Sequence, residues 1–267
     1  MNRTRAVSQH EESPINPTQE ASIKSLSIVI PAFNERTTIR ELIARVRTAP
    51  LPGTLTKEII IVDDGSTDDT LNLIKKFNHK ENKIKIISLP INQGKGEALK
   101  KGIQAATGEF VIIQDGDLEY DPSDYSFILS EFKNKNTSIV YGSRILGAKI
   151  YHNYNASIFF LIGGLLLTKT VNIIFGTKLT DQPTGFKSWR NVLSKNLLKY
   201  CQSNGFEFEV EMTAFFSKTN KIKEVPIHYY PRTVGHGKKI TLVDFIKSIL
   251  MVLRCKFIKR DNIINRL

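Results

Sequence analysis

The sequence predicts an α/β fold with a mostly parallel central sheet and helices on both of its faces. Three observations predict it. Short Ile/Val runs alternate with segments of helical periodicity over the first 145 residues, and these runs are continuously apolar rather than alternating. Polar and small residues collect where the runs end. The chain has 267 residues, 41% of them apolar, enough for one substantial core with a small appendage.

The elements follow in order. Residues 26–33, LSIVIPAF, read as a buried strand, and Asn34 is placed to cap a helix over NERTTIRELIARVRT. KEIIIVDDG (57–65) is a second strand, and Ser66 caps the helix STDDTLNLIKKF, whose first turn carries acids, as the helix dipole favours. KIKIISLP (83–90) precedes the helix GKGEALKKGIQAA, and EFVIIQDGD (109–117) precedes the helix PSDYSFILSEFKNK. SIVYGSR (138–144) is a fifth strand. Beyond it come an apolar helix over 156–176, a polar loop TKLTDQPTGFKSWR, two helical stretches, a strand KIKEVPIHYY (221–230) and a basic amphipathic end.

The domain expectation is a flexible, polar tail over 1–25, a catalytic-type α/β domain over 26–240 and a basic amphipathic helix over 241–267. The tail lacks the apolar core of a secretory signal. Two cysteines, Cys201 and Cys255, make neither a disulfide framework nor a metal-ligand spacing and suit a reducing compartment. The 156–176 stretch is interrupted by Lys169 and Asn172 and holds two glycines, so its unbroken part falls short of the roughly 20 residues of a membrane span. It reads as a core or interfacial helix. Net charge is +12, and residues 232–267 hold nine Lys/Arg against two Asp/Glu, a concentration that suits an anionic partner. In the last helix Leu242, Phe245, Ile246, Ile249, Leu253 and Phe257 share a stripe that either packs on the core or lies on an acidic membrane.

Five strand ends supply the candidate chemistry. They are Pro31-Ala32-Phe33-Asn34-Glu35, Asp63-Asp64-Gly65-Ser66, Asn92-Gln93-Gly94-Lys95-Gly96, Asp115-Gly116-Asp117 and Gly142-Ser143-Arg144. Asp115 and Asp117, with Glu119 as a third oxygen donor, offer hard ligands for Mg²⁺ or Mn²⁺ if strand geometry persists and alternate carboxylates share one face. Asp121 starts the next helix. Asp64 could accept hydrogen bonds from a base or ribose, although Asp63 to Ser66 also suits a plain turn. Gly94-Lys95-Gly96 fits neither a Walker loop nor a dinucleotide fingerprint, because the spacing differs and Leu99 stands where a third glycine belongs, yet a helix start there can meet an anion. Arg144, Arg232, Lys238 and Lys239 are phosphate clamps, the last three in or beside a Gly235/Gly237 loop that also bears His236.

These segments together, SIVIPAFNE, EIIIVDDGSTDDT, NQGKGEALKKGI, VIIQDGDLEYDP, YGSR, LTDQPTGFKSWR and EVPIHYYPRTVGHGKKI, resemble glycosyltransferase family 2, in particular its dolichol- or polyprenol-phosphate sugar synthase branch. The resemblance covers about residues 26–260 and implies a GT-A type nucleotide-sugar-binding fold followed by C-terminal amphipathic helices. By it Pro31, Phe33 and Glu35 match the first nucleotide-contacting segment, where Tyr is more usual than Phe, and Val62 and Asp64 match the base-binding positions. Gly94 and Lys95 join the nucleotide-sugar site, and Asp115, Gly116, Asp117 and Glu119 match the metal and sugar-phosphate segment. Arg144 matches a phosphate contact, Arg232 and Lys238 the basic loop near the diphosphate, and Asp181, Thr184 and Gly185 the loop facing the acceptor. Relatives of the mannosyl enzymes often carry Gln where this chain has Glu119, so mannose and glucose both stay open.

The implied reaction is inverting transfer of a sugar from a GDP- or UDP-linked donor to a polyprenyl (dolichyl or undecaprenyl) phosphate, with Mg²⁺ or Mn²⁺ as cofactor. Asp115, Asp117, Arg144 and Asp181 are its expected catalytic residues. An already ionised phosphate acceptor needs little from a general base. The expected setting is cytoplasmic, peripheral on the cytosolic face of a membrane, held by interfacial contact or a membrane partner protein and with no nucleic acid as partner. One alternative is transfer to a glycan or protein hydroxyl with Asp181 as base, and another is a non-enzymatic nucleotide- or nucleic-acid-binding module.

Overall fold

The computed structural model describes residues 24–77, 83–151, 158–232 and 242–257. Seven strands form one sheet: β1 (Ser25–Ala32), β2 (Thr56–Asp63), β3 (Ile84–Ser88), β4 (Phe110–Ile113), β5 (Ile139–Ser143), β6 (Lys187–Arg190) and β7 (Ile222–Pro226). Their order is β3-β2-β1-β4-β6-β5-β7, and all pairings are parallel except the two made by β6. Ile28 to Ile30, Ile59 to Val62 and Phe110 to Ile113 are buried whichever way they face, as continuous apolar runs require in a sheet covered on both sides.

One face lies under α1 (Ile39–Thr48) and α4 (Tyr125–Ser130), the other under α3 (Lys95–Ala105), α7 (Ser194–Tyr200) and α8 (Phe208–Thr219). Helix α1 buries Ile39, Leu42, Ile43 and Val46, an i, i+3, i+4, i+7 stripe. Gly102 lets α3 approach β1, since a Cβ there would collide with the Val29 side chain. Four further helices complete the order among the described residues: α2 (Thr70–Lys75), α5 (Arg144–Tyr151) and the pair α6 (Ile158–Phe175) with α9 (Leu242–Lys256). Leu167 and Val171 of α6 meet Val210 of α8 and Val252 of α9 in a third apolar cluster.

Several boundaries differ from the sequence expectation. Asn34 has φ +51° and caps nothing: its backbone N–H donates to Ser66 Oγ at 3.0 Å, while its Oδ1 accepts from Thr67 N at 2.8 Å. Asn34 and Ser66 therefore tie the ends of β1 and β2 together, and α1 and α2 start only at Ile39 and Thr70. The expected 221–230 strand stops at Pro226, after which Tyr229 makes a single antiparallel bridge to Tyr120. The helix expected from Pro122 is a 3-10 turn, a short α4 and a second 3-10 turn, and Asp121 caps its start by accepting from Ser123 N at 2.9 Å. Strand β6 sits inside what reads as a polar loop, between β4 and β5.

The amphipathic stripe of α9 divides. Phe245 and Ile249 lean on α6 and α8, whereas Leu242, Ile246, Leu253 and Phe257 are exposed, and Ser248, Val252 and Cys255 are the buried positions. Ile162, Leu165, Leu166 and Ile173 of α6 are exposed as well. No helix among the described residues is long and apolar enough to cross a membrane. Of the tail expected over 1–25, residues 1–23 lie outside the described residues and Ser25 opens β1; most of the glycine-bearing basic loop and the chain beyond residue 257 lie outside them too.

Candidate active site

Strand order reverses between β1 and β4, and a crevice opens beyond the carboxyl ends of such strands. Here it is a cavity of about 670 Å³. Pro31, Phe33 and Glu35 line it from the end of β1, Asp64 from β2, Gly94 and Lys95 from the start of α3, and Asp115, Gly116, Asp117 and Glu119 from the end of β4. Arg144, Asp181 and Arg232 complete the polar wall, and residues 161–168 of α6 with Leu242 and Phe245 of α9 form an apolar one. The polar strand ends singled out in the sequence thus share one chamber. Val62 does not line it: the side chain is packed in the core under α3. Lys238, with Lys239 and His236, lies outside the described residues.

Asp64 organises the loop before α3. Its Oδ1 accepts from Gln93 N at 2.8 Å, and its Oδ2 from Asn92 Nδ2 and Gly94 N, both at 2.9 Å. Burial raises its pKa despite these bonds. The carboxylate thus shapes the rim as the turn reading of Asp63 to Ser66 allows, and lines the cavity where a base or ribose could still meet it.

The acidic strip gathers in a way the strand argument does not anticipate. Strand β4 ends at Ile113 and Leu118 has φ +62°, so a turn, not strand alternation, aims the acids. Asp115 Oδ1 lies 2.6 Å from Lys95 Nζ, which also contacts Glu209 Oε1 at 2.7 Å. Glu209 Oε2 is 3.0 Å from Lys187 Nζ, and that ammonium, fully buried, also donates to the Thr184 carbonyl. Charges alternate along this row, from Lys187 through Glu209 and Lys95 to Asp115. Burial opposes ionisation of Glu209, yet Lys187 and Lys95 hold its pKa at about 2. Burial raises the Asp115 pKa against the pull of Lys95. A Cβ on Gly185 would strike Asp115, so only glycine lets the 181–186 loop close over it.

Asp117 and Glu119 face a different cation. Arg232 Nη2 is 2.8 Å from Asp117 Oδ2, its Nη1 is 3.4 Å from Glu35 Oε2, and its backbone N–H donates to Glu119 Oε1 at 2.9 Å. Tyr229 OH donates to Glu119 Oε2 at 2.7 Å, and Thr38 Oγ1 to Glu35 Oε2 at 2.8 Å. Burial, with Glu119 nearby, raises the Asp117 pKa.

Arg144 is gripped by Asp181: Nε to Oδ2 and Nη2 to Oδ1 are both 2.7 Å, and the Arg144 backbone N–H adds a 2.9 Å bond. Both Asp181 oxygens are thereby engaged, which fixes the guanidinium at the cavity wall.

Among the described residues no three His, Cys, Asp or Glu side chains are gathered as a ligand set for a metal. Asp115, Asp117 and Glu119 instead meet organic cations. Their donor chemistry fits a hard divalent ion, since hard oxygens at one rim already draw positive charge from Lys95 and Arg232. Sequence reasoning missed Glu209, Lys187, Tyr120 and Tyr229. Nothing local signals them, because each acts through a partner remote in sequence.

The profile described as glycosyl transferase family 2 matches residues 27–197. Among curated proteins, the chain is 29% identical over 80% of its length to a dodecaprenyl-phosphate galacturonate synthase of Rhizobium johnstonii, spanning 61% of that protein. It is 24% identical over 98% of its length to a dolichyl-phosphate beta-glucosyltransferase of Trichomonas vaginalis, of which it spans 84%. It is 27% identical over 86% of its length to a dolichol-phosphate mannosyltransferase of Pyrococcus furiosus, spanning 64%. Among solved structures, glucosyl-3-phosphoglycerate synthase from Mycobacterium tuberculosis with Mg²⁺ and uridine diphosphate superposes with a TM-score of 0.65 at 19% identity, over 88% of this chain and 80% of that one. This likeness is one of fold.

Proposed function

The chain belongs to glycosyl transferase family 2, and from that premise we propose that it moves a sugar, with inversion, from a nucleoside diphosphate sugar to a polyprenyl phosphate. All three curated relatives described above are named for sugar transfer to a polyprenyl or dolichyl phosphate. The observation that carries the reading is the cavity itself. A charged rim at the β1/β4 switch point and an apolar wall from α6 and α9 belong to one continuous chamber. A donor with a diphosphate suits the first part and a lipid acceptor suits the second.

The residues have distinct roles in this reading. Asp115, Asp117 and Glu119 would hold Mg²⁺ or Mn²⁺, which when bound supplies positive charge to the leaving diphosphate. Asp64 fixes the loop at Gly94 and so sets where Lys95, at the start of α3, meets the cavity. Arg144, oriented by Asp181, places a guanidinium where the acceptor phosphate approaches from the apolar side. The acceptor arrives ionised, so no base is required. The paired state of Asp181 disfavours the hydroxyl-acceptor alternative, which needs that carboxylate as a base. The exposed apolar residues of α6 and α9 and the net charge of +12 suit peripheral seating on an anionic membrane, on the cytosolic face where nucleotide sugars are available.

The test is direct. The protein is incubated with labelled UDP- or GDP-sugars, a polyprenyl phosphate and Mg²⁺ or Mn²⁺, and label is followed into the lipid phase. Transfer is expected for one donor, suppressed by chelator and reduced about a hundredfold or more in Asp117→Ala. Full activity in excess chelator, or transfer only to water-soluble hydroxyls, would defeat the reading.

A further inference from the structure

The two halves of the acidic strip are balanced by cations of different kinds. Lys95 is locked from behind by Glu209, which Lys187 holds in turn. Among the described residues the guanidinium of Arg232 has no second anchor as short as that one. Of its side-chain approaches to the three carboxylates the hydrogen bond to Asp117 is short, at 2.8 Å, that to Glu35 is long, at 3.4 Å, and Glu119 lies 3.8 Å away. Among the described residues its buried Nε has no hydrogen-bond partner. The guanidinium thus matches the charge of this pocket but not its geometry, although planar forks usually pair with carboxylates two bonds at a time, as Arg144 does with Asp181. Charge is also incompletely matched: three carboxylates stand against the single positive charge of the guanidinium, whereas a divalent ion brings two.

We propose that Arg232 is a place-holder for the divalent cation. In the empty enzyme its guanidinium stands among Asp117, Glu119 and Glu35, and entry of the metal with a nucleoside diphosphate transfers it from the carboxylates to the diphosphate. The inference rests on the metal-dependent donor site proposed above and adds an exchange to it. Metal alone must expel Arg232 into a place with no new anion. Metal arriving with a diphosphate gives Arg232 an anionic partner at once. Metal and nucleotide therefore bind cooperatively, and because linkage is reciprocal each tightens the other by the same factor. The absence of a ready ligand set among the described residues accords with this, since Asp117 and Glu119 are turned onto the arginine and Asp115 onto Lys95.

Mn²⁺ binding measured by electron paramagnetic resonance, with and without UDP or GDP and without acceptor or turnover, tests the exchange. In Arg232→Met the nucleotide-free affinity for Mn²⁺ is expected to rise by about fivefold or more, and the factor by which nucleotide tightens Mn²⁺ to shrink by a similar amount. Arg232→Lys keeps the charge and is expected to stay near the wild-type value. Arg232→Gln supplies the neutral side chain if the methionine variant does not fold. Unchanged or weaker Mn²⁺ binding in the neutral variants overturns the proposal, and so does tightening in Arg232→Lys equal to that in Arg232→Met, which would indicate loosened packing. A wild-type protein that fails to bind Mn²⁺ in the presence of either UDP or GDP defeats the donor-site reading itself, which distinguishes the two failures.

Discussion

The Asp115 end and the Asp117 end of one acidic turn are two residues apart and built on opposite plans. From Asp115 a row of four alternating charges, its own included, runs into the protein and ends on Lys187, which has no exposed surface. Before Asp117 and Glu119 stands one arginine, reached from the loop after Tyr229, making one short contact and two long ones. A charge row closed at both ends fixes a carboxylate in place. A single ill-fitting guanidinium neutralises carboxylates while leaving them free to change partner. The comparison teaches that the site separates positioning from exchange within one turn of chain. On the exchange proposed above, Asp115 is the fixed wall and the strip from Asp117 to Glu119 is where the cation enters.

Breaking the fixed end has the largest expected effect. Lys187→Met leaves Glu209 buried beside a single remaining cation, and removing one partner of a buried pair costs about 3–5 kcal/mol of stability. Lys187→Met/Glu209→Gln removes both charges of the inner pair and is expected to recover most of that loss in urea unfolding. Its kcat should remain well below wild type, because Lys95 no longer has a second carboxylate to hold it against Asp115. If the double variant is as unstable as the single one, the pair acts through packing, and the contrast with the Arg232 end loses its basis.

The Arg144–Asp181 pair sharpens the comparison by supplying a third cation, bidentate and therefore of the fixed kind. Asp181→Asn keeps the shape of the side chain but removes its charge and one acceptor oxygen. It is expected to lower kcat/KM for the lipid phosphate by roughly tenfold or more, about 1.4 kcal/mol, and to leave nucleotide affinity within about twofold. The measurement is steady-state kinetics on the acceptor, beside titration of UDP or GDP. A loss of nucleotide binding equal to the loss of kcat/KM would place Arg144 on the donor side and remove the division of roles.

How much of this was legible depends on how far each signal reaches along the chain. Ile28 to Ile30 and Ile59 to Ile61 announce their strands because burial on both faces demands unbroken apolar runs, and the Ile39, Leu42, Ile43, Val46 stripe announces α1. The carboxyl-end rim follows from those strands. Strand β6 was hidden because KSWR carries two cations and its burial is imposed by β4 and β5 rather than by a face of its own. Lys187 reads as a solvated residue until Glu209, 22 positions on, is seen beside it. The same holds for Arg232 and Asp117, 115 positions apart. The acids of the strip were found for a reason that proved incomplete: their spacing suggested a strand face, whereas Leu118 at φ +62° turns the chain and aims them. Residue type was enough to nominate the acids, and only tertiary contact could show which cation each one meets.

The smallest expected effect is on the acid limb of stability, and it again divides the two ends. Lys187 and Lys95 hold the Glu209 carboxyl at about 2 against an ordinary 4.5. Below about pH 4.5 the unfolded chain takes up a proton that the folded chain refuses, so this carboxylate's stabilising contribution is complete above that pH and is lost as pH falls toward 2. Many carboxylates contribute to acid unfolding, and a difference between proteins isolates this one. The urea midpoint of the wild type is expected to fall more steeply between about pH 5 and about pH 3 than that of Lys187→Met/Glu209→Gln, which has no carboxyl at that position. Arg232→Met makes the opposite comparison. Burial already raises the Asp117 pKa despite Arg232, so removing the guanidinium raises it further and makes Asp117 easier to protonate in the folded state. A carboxyl with a raised folded pKa gives no acid-sensitive stabilisation of the kind Glu209 gives, so the acid limb of Arg232→Met should be no steeper than that of the wild type. Equal slopes in the wild type and the Lys187/Glu209 double variant would mean that Glu209 titrates normally in the folded protein, and the closed row of charges behind Asp115 would then hold nothing in place.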